Sequence, residues 1–462
     1  MSKKIKIPML AHEWRAATSL AGVYALRMLG MFLVLPVLSL HAHSLSGADE
    51  VAKLKMVGLA MAAYGLTQAL LQLPLGMLSD KIGRKKVIYL GMGVFALGSF
   101  IAAFTNDVYM LIVARAIQGA GAVSAAVTAL LADLTREEVR TRAMSLIGLS
   151  IGLTFSVSLV LSPVLSQFIG VQGLFALTGV LSLASIALVR FYTPNPEQSR
   201  HHEDAQVSVH RIGEVLKNGQ LLRLNYGIFA LQAGLMAIFT ALPFALKNLG
   251  WDKSEHWLVY LPATVIGLVL MVPAIVIGET RNKLKQVFVL GITLVLLAQF
   301  ALIFSVSSAW LIGLTLVVYF IGFNILEASL PSLVSKIAPT DLKGTAMGVY
   351  NTTQSLGVFA GGMIGSRMYA AYGFSGVFGF CCVIIGVWLL MAMSAPAPRP
   401  VKNVMFAVPD SWLSDLAGLT AKIQAASGVE EVRLSADNKT VFIKALQQGF
   451  DEEYVKQVLT GV

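Results

Sequence analysis

Twelve apolar runs, each long enough to cross a lipid bilayer, constrain this chain more than any other feature. They fall near residues 16–40, 55–78, 86–104, 108–132, 143–168, 173–193, 222–246, 257–278, 287–305, 309–335, 345–369 and 376–394. A helix needs roughly 20 apolar residues to cross about 30 Å of hydrocarbon, and its backbone must satisfy its own hydrogen bonds there. The runs therefore predict an all-α polytopic membrane protein. Of 462 residues, 56% are hydrophobic and only 13% charged, and the mean hydropathy is +0.73. A soluble fold has nowhere to hide that much apolar surface.

The net charge of +10 would suit a nucleic-acid binder if the cations shared one face. They cluster instead at the ends of the apolar runs: Lys3, Lys4, Lys6 and Arg15; Lys81 to Lys86; Arg136, Arg140 and Arg142; Arg281, Lys283 and Lys285. The alternate connections carry few. By the positive-inside rule the basic connections and both termini belong in the cytoplasm, and no nucleic-acid partner is expected. Arg27 lies within the first run and no small-residue cleavage site follows, so the start reads as a span rather than a signal peptide. Cys381 and Cys382 sit together on the last span and read as small core residues, with no disulfide or metal site.

The connection between the second and third runs is dense in charge: Gly76-Met-Leu-Ser-Asp80-Lys-Ile-Gly83-Arg84-Lys-Lys86. Its glycines permit a sharp reversal and close packing. The pattern resembles the signature between helices 2 and 3 of the major facilitator superfamily. The two halves of the chain also repeat. Leu-Pro-Leu-Gly76 with Asp80 and Arg84 aligns with Val-Pro-Ala-Ile followed by Glu279 and Lys283. Arg142-Ala-Met-Ser aligns with Thr345-Ala-Met-Gly, and Gly170 and Gly173 align with Gly373 and Gly376. Two six-helix repeats of parallel type place a transport site between the halves near the midplane.

The expected domains are a six-helix bundle over 1–193, a linker with a short amphipathic helix over 194–218, and a second bundle over 219–394. A proline-rich linker over 395–403 and a soluble domain over 404–462 complete the chain. His201, His202 and His210 in the first linker match no metal-ligand spacing and read as solvated. In the soluble part, Val404–Val408 reads as a strand and Asp410 or Ser411 as the cap of a helix. Alternating residues over 432–436 and 441–445 read as a hairpin turning at Asp437-Asn438-Lys439, and Asp451 as the cap of a last helix. The order β-α-β-β-α resembles a ferredoxin-like domain without its last strand. It contains no cysteine, so thiolate metal binding is excluded, and its ligand is unknown.

Charged groups inside spans are the candidate machinery, since an intramembrane charge costs at least ~2.5 kcal/mol and needs a partner or water. Arg27 sits mid-span. Arg115 lies in Ala114-Arg115-Ala-Ile-Gln118-Gly119-Ala-Gly121, which resembles the superfamily's helix-4 motif, whose arginine is associated with proton transfer in antiporters. Glu327 is the acid deep in a C-terminal span, an expected proton site with Arg27 as counter-ion across the cavity. Tyr64, Gln68, Gln72, Gln118, Asn225, Gln232, Asn324, Asn351 and Gln354 are the candidate cavity lining, each weighed against a helix–helix hydrogen bond. The resemblance further implies a cytoplasmic conformational latch of Gly76, Asp80, Gly83, Arg84, Asp133 and Arg142. In it Asp80 approaches the helix starting near Gly344–Ala346, Arg84 pairs with Asp133, and the closed latch favours an outward-open state.

One departure stands out. The fifth-span motif of the superfamily's drug:proton antiporters is rich in glycine, and here it reads Ser158, Ser162, Pro163, Ser166 and Gln167.

The resemblance covers all twelve spans. It is closest to drug:proton antiporter-like members that carry a C-terminal ferredoxin-like domain. It implies a monomeric secondary transporter of the inner membrane, not an enzyme. Such a protein would export hydrophobic or cationic small molecules by alternating access, with a proton gradient as energy source and no cofactor or metal. The alternatives are a proton-coupled symporter importing a small metabolite, and a non-transporting sensor using the C-terminal domain.

Overall fold

The computed structural model describes residues 8–47, 50–195, 211–281, 283–339, 342–395, 401–434, 440–446 and 449–460. The linker histidines and the turn at 437–439 lie outside these residues. The chain forms two compact units, Met1–Ala395 and Pro396–Val462.

The first unit is helical throughout. Its helices are α1 (Ala11–Ser44), α2 (Glu50–Ile82), α3 (Arg84–Phe104), α4 (Val108–Ala120), α5 (Ser124–Asp133) and α6 (Glu137–Phe191). After α7 (Ile212–Lys217) come α8 (Gly219–Asn248), α9 (Trp257–Thr280), α10 (Leu284–Ser305), α11 (Ala309–Ile337) and α12 (Lys343–Ser394). α6 and α12 have 55 and 52 residues. At 1.5 Å per residue each is more than twice the hydrocarbon thickness. Each breaks at one glycine with positive φ, Gly170 (φ 66°) and Gly373 (φ 63°), a backbone that side chains disfavour. Each is thus two antiparallel spans, and with α4 and α5 forming one span the unit crosses twelve times.

The fourth span is broken in its middle, which the sequence pattern did not anticipate. Gly119 and Gly121 explain the break. A Cβ on Gly119 would meet the Tyr64 carbonyl of α2, and one on Gly121 would meet the Gly91 carbonyl of α3. Three backbones converge there, and α4 stops with the Gly121 N–H bonded to the Gln118 carbonyl at 3.1 Å.

The two halves share a core at only one end of the unit. Apolar residues of α1, α2 and α6, among them Leu38, Met61 and Phe155, join one cluster with Phe239, Phe320 and Phe323 of α8 and α11. The end of the N-terminal half bearing the 76–86 turn has its own separate cluster, from Ala16 through Leu131 and Val139 to Val189. Backbone contact between α2 and α12 lies toward the shared end. The Gly58 Cα faces Ser366 and the Gly362 carbonyl, and Gly65 faces the Ser355 carbonyl. Nearby, the Gln167 amide donates to the Ser254 carbonyl at 2.8 Å. Among the described residues, the two halves share buried apolar packing at the end opposite the basic turn, and at the basic end the N-terminal half keeps a cluster of its own.

The second unit is a three-stranded antiparallel sheet, order β1-β3-β2, from β1 (Val401–Ala407), β2 (Val429–Leu434) and β3 (Thr440–Leu446). Helices α13 (Leu416–Gln424) and α14 (Glu452–Thr460) supply Leu419, Ile423, Val455 and Leu459 to its core, against Val441, Ile443 and Ala445. Among the described residues this is the ferredoxin-like order β-α-β-β-α, with no fourth strand. Asp410 does not cap α13, because it lies in a short 3-10 turn through Trp412; Asp415 is the cap, accepting from the Gly418 N–H at 2.8 Å. Asp451 does cap α14, accepting from the Tyr454 N–H.

Candidate functional site

Three polar clusters lie inside or beside the membrane-length helices. The first joins two buried arginines of the N-terminal half, only 2% (Arg27) and 3% (Arg115) exposed. Arg27 of α1 donates through Nη1 to the Ser124 hydroxyl at 2.9 Å and through Nη2 to the Tyr64 hydroxyl at 3.2 Å. Arg115 of α4 lies over the Tyr64 ring, 4.9 Å from its centroid. Its Nη1 donates to the Gln118 side-chain oxygen Oε1 at 2.8 Å, and the Gln118 side-chain amide Nε2 donates on to the Ser99 hydroxyl at 2.8 Å. Tyr64 therefore connects both cations, with its hydroxyl on one and its π face on the other. Arg115 does not reach out to the interface.

The second cluster surrounds Glu327 on α11. The Gln232 amide of α8 donates to one carboxylate oxygen at 3.2 Å, and the Gln354 amide of α12 to the other at 3.3 Å. The parallel packing of α8 on α12 through Gly357 and Gly361 brings these amides to it. Tyr319 and Tyr350 lie within its electrostatic reach, their hydroxyls buried without hydrogen-bond partners. Arg27 is not its counter-ion. Arg27 donates from both Nη groups to residues of its own half, and among the described residues no cation pairs with Glu327.

The third cluster lies at the basic end. Arg84 pairs with Asp80, donates to Ser79 at 2.8 Å and meets Asp133 at 3.3 Å. Asp80 pairs with Arg84, and among the described residues no bond joins it to the start of α12. Arg142 is not part of this cluster: its guanidinium stacks over the Trp14 ring at 5.7 Å. Gly76 packs on Ala125, and Gly83, with φ 102°, turns the chain into α3.

Of the other expected lining residues, Gln72 and Asn225 are buried with both amide atoms unpartnered. Asn324 is buried, while Gln68 and Asn351 are half-buried. No hydrogen bond among the described residues gathers these five into one site.

Several partners escaped the sequence reading. Ser124 and Ser99 carry no signal of their own, since small hydroxyl residues are ordinary in spans. Glu13 is fully buried and holds Arg136 by a 2.8 Å ion pair, also accepting from the Leu10 and Arg136 backbone N–H groups. An acid in the first turn of a membrane helix, with arginine in a distant basic connection, was the available clue.

The family model described as Major Facilitator Superfamily matches residues 20–362. The chain is 40% identical, over 94% of each chain, to the inner membrane transport protein YajR of Escherichia coli strain K12. It is 24% identical to the class B tetracycline resistance protein of Escherichia coli, over 74% of this chain and 84% of that one. In fold it is similar to a crystal structure of a bacterial homolog of the human lysosomal transporter Spinster. That likeness has a TM-score of 0.67 and 12% identity, covering 82% of this chain and 95% of the other. With its twelve crossings, two half-bundles and paired-charge turn at residues 76–86, this chain belongs to the major facilitator superfamily, as a multi-pass membrane transporter and not an enzyme.

Proposed function

We propose that the chain exports hydrophobic or cationic small molecules in exchange for protons, across an inner membrane, with both termini cytoplasmic. The observation that carries this reading is Glu327: a carboxylate in the middle of a span, held by two neutral amides and, among the described residues, by no cation. Such a group is ionised only at a high solvation cost, so it takes either a proton or a cationic ligand and favours exchange of one for the other. Resistance proteins among the relatives, by their names, support an efflux direction. The proton gradient is the energy source, with no cofactor.

With the basic end in the cytoplasm, the end without shared packing faces inward and the shared core seals the outside. The Asp80–Arg84–Asp133 cluster then acts as a latch whose contact to α12 forms when that end closes. An acid at a helix N-terminus contributes about 0.3–2 kcal/mol, enough to shift two conformations of similar energy.

The test uses purified protein in proteoliposomes with a trapped pH dye and a panel of lipophilic cations. Substrate-dependent proton movement that vanishes in Glu327→Gln is the expected result. Movement that persists in the variant removes Glu327 from the proton path. No coupled movement with any compound overturns exchange and returns the symporter and sensor readings.

A further inference from the structure

Beside Glu327 the C-terminal half buries a hydroxyl that nothing holds. Tyr350 of α12 is 2% exposed, and its Oη has no hydrogen-bond partner. Leaving a buried hydroxyl unpaired costs free energy, and a partner in another state of the same site is a physical reason to keep one. Its place on the helix is specific. Tyr350 and Gln354 are four residues apart, about 6 Å of rise along one face of α12. The Gln354 amide donates to Oε1 of Glu327 at 3.3 Å. A helical side chain leans back over the turn before its own Cα, which sets the carboxylate that Gln354 holds over the turn carrying Tyr350. The two groups are close enough for the Glu327 charge to act on the Tyr350 hydroxyl.

The rest of the surroundings leaves the carboxylate short of donors. It offers about four lone-pair sites, and two are met, by the Gln232 and Gln354 amides. Charged side chains on the helices that pack on α11 belong to span ends in the sequence: Arg223 and Lys247 on α8, Glu279 on α9, Lys285 on α10, Lys343 and Arg367 on α12. Lys336 is in the last turn of α11 itself. Among the described residues the titratable groups that act with Glu327 are Tyr319 and Tyr350. Tyr319 is the more remote in the helix. It precedes Glu327 by eight residues on α11, about 12 Å of rise, and its ring stacks on the intervening Phe323 with centroids 5.8 Å apart.

We propose that Tyr350 is a positioning residue for the proton carried by Glu327. Its hydroxyl turns to donate to the carboxylate when Glu327 is ionised, and lets go when Glu327 is protonated. The inference rests on the reading of Glu327 as the site of the exchanged proton. The step is a plain acid dissociation. The Glu327 O–H bond breaks, the proton leaves to water, and the Tyr350 O–H stays intact as a third donor to the carboxylate. A hydrogen bond made to the charged form alone favours that form, so Tyr350 sets the pH at which Glu327 loads and unloads. A hydroxyl does this without a fixed cation in the span, which would hold the carboxylate ionised in every state.

The experiment is a pH titration of the purified full-length protein in lipid nanodiscs, followed by infrared difference spectroscopy of the protonated carboxyl C=O band. The Glu327 band is the one that Glu327→Gln removes. Tyr350→Phe is expected to move the midpoint of that band about one pH unit upward, about tenfold in proton affinity, with its amplitude unchanged. Tyr319→Phe also removes a buried, unpartnered hydroxyl, and is expected to leave the midpoint in place. If Tyr350→Phe does not fold, 3-fluorotyrosine at position 350 alone replaces it. Its more acidic phenol is a stronger donor, and the midpoint then moves downward. An unchanged midpoint in Tyr350→Phe, or equal shifts in the two tyrosine variants, overturns the inference while Glu327 keeps its proton role. A carboxyl spectrum that Glu327→Gln leaves intact means that Glu327 carries no titrating proton, and overturns the exchange reading and this inference together.

Discussion

The two halves descend from one repeated pattern, yet their interiors carry opposite charge. The N-terminal half buries two guanidinium groups, Arg27 and Arg115, bridged by Tyr64 and paired with no acid among the described residues. The C-terminal half places one carboxylate, Glu327, between two amides and paired with no base among the described residues. At the basic end the order reverses: three acids of the N-terminal half, Glu13, Asp80 and Asp133, each meet an arginine. Paired charges sit where the chain needs fixed structure, and unpaired ones sit in mid-span. An unpaired charge in a span is costly in every conformation unless a mobile partner arrives. The contrast therefore marks which charges are structural and which are available to ions.

The largest effect should come from breaking a paired acid. Arg136→Ala strands the fully buried Glu13 carboxylate and should lower stability by about 3 kcal/mol. That is the low end for a broken buried pair, because Arg136 is 41% exposed. Unfolding in detergent followed by tryptophan fluorescence checks it, and an unchanged midpoint would mean water reaches Glu13.

A slightly smaller effect is expected at the end of the C-terminal half opposite the basic turn. His256 is 1% exposed, and its two ring nitrogens lack hydrogen-bond geometry, with the Trp251 backbone close by but misaligned. Burial lowers its pKa from 6.5 to about 4, against the opposing pull of Asp252 and Glu255. The sign follows from proton uptake. Between pH 6.5 and 4 the unfolded chain binds a proton that the folded chain refuses, so stability falls as pH falls through that window. The loss is at most about 3 kcal/mol. A scan of unfolding midpoint against pH for wild type and His256→Gln should differ in slope there, and parallel curves would contradict it.

Glu327→Gln should cut coupled proton movement by about a hundredfold or more, about 2.7 kcal/mol in barrier terms. Because the variant removes an uncompensated buried charge, its unfolding midpoint should hold or rise. A marked fall would recast Glu327 as structural and erase the contrast between the halves. Tyr64→Phe is the smallest change, removing one hydroxyl from Arg27 while keeping the ring over Arg115. The cost should be about 1–2 kcal/mol, the range for a hydrogen bond to a charged group. A loss as large as that from Arg136→Ala would show that Tyr64 holds more than one guanidinium.

The sequence determined the twelve crossings, the half-and-half repeat, the tail's strand order and the mid-span charges Arg27, Arg115 and Glu327. Those follow from hydropathy, turn chemistry and period, which act over a few residues at a time and are readable locally. Only the tertiary structure decided how the charges pair. Arg27 and Glu327 look complementary on paper, but helix packing through Gly357 and Gly361 supplies Glu327 with amides instead. Asp80 and the start of α12 belong to different halves, and among the described residues no bond joins them. The break before α5 was likewise invisible as a hydropathy feature, since glycines 119 and 121 acquire their meaning only when α2 and α3 press against them. Long-range packing chooses partners among groups that local physics has merely made available.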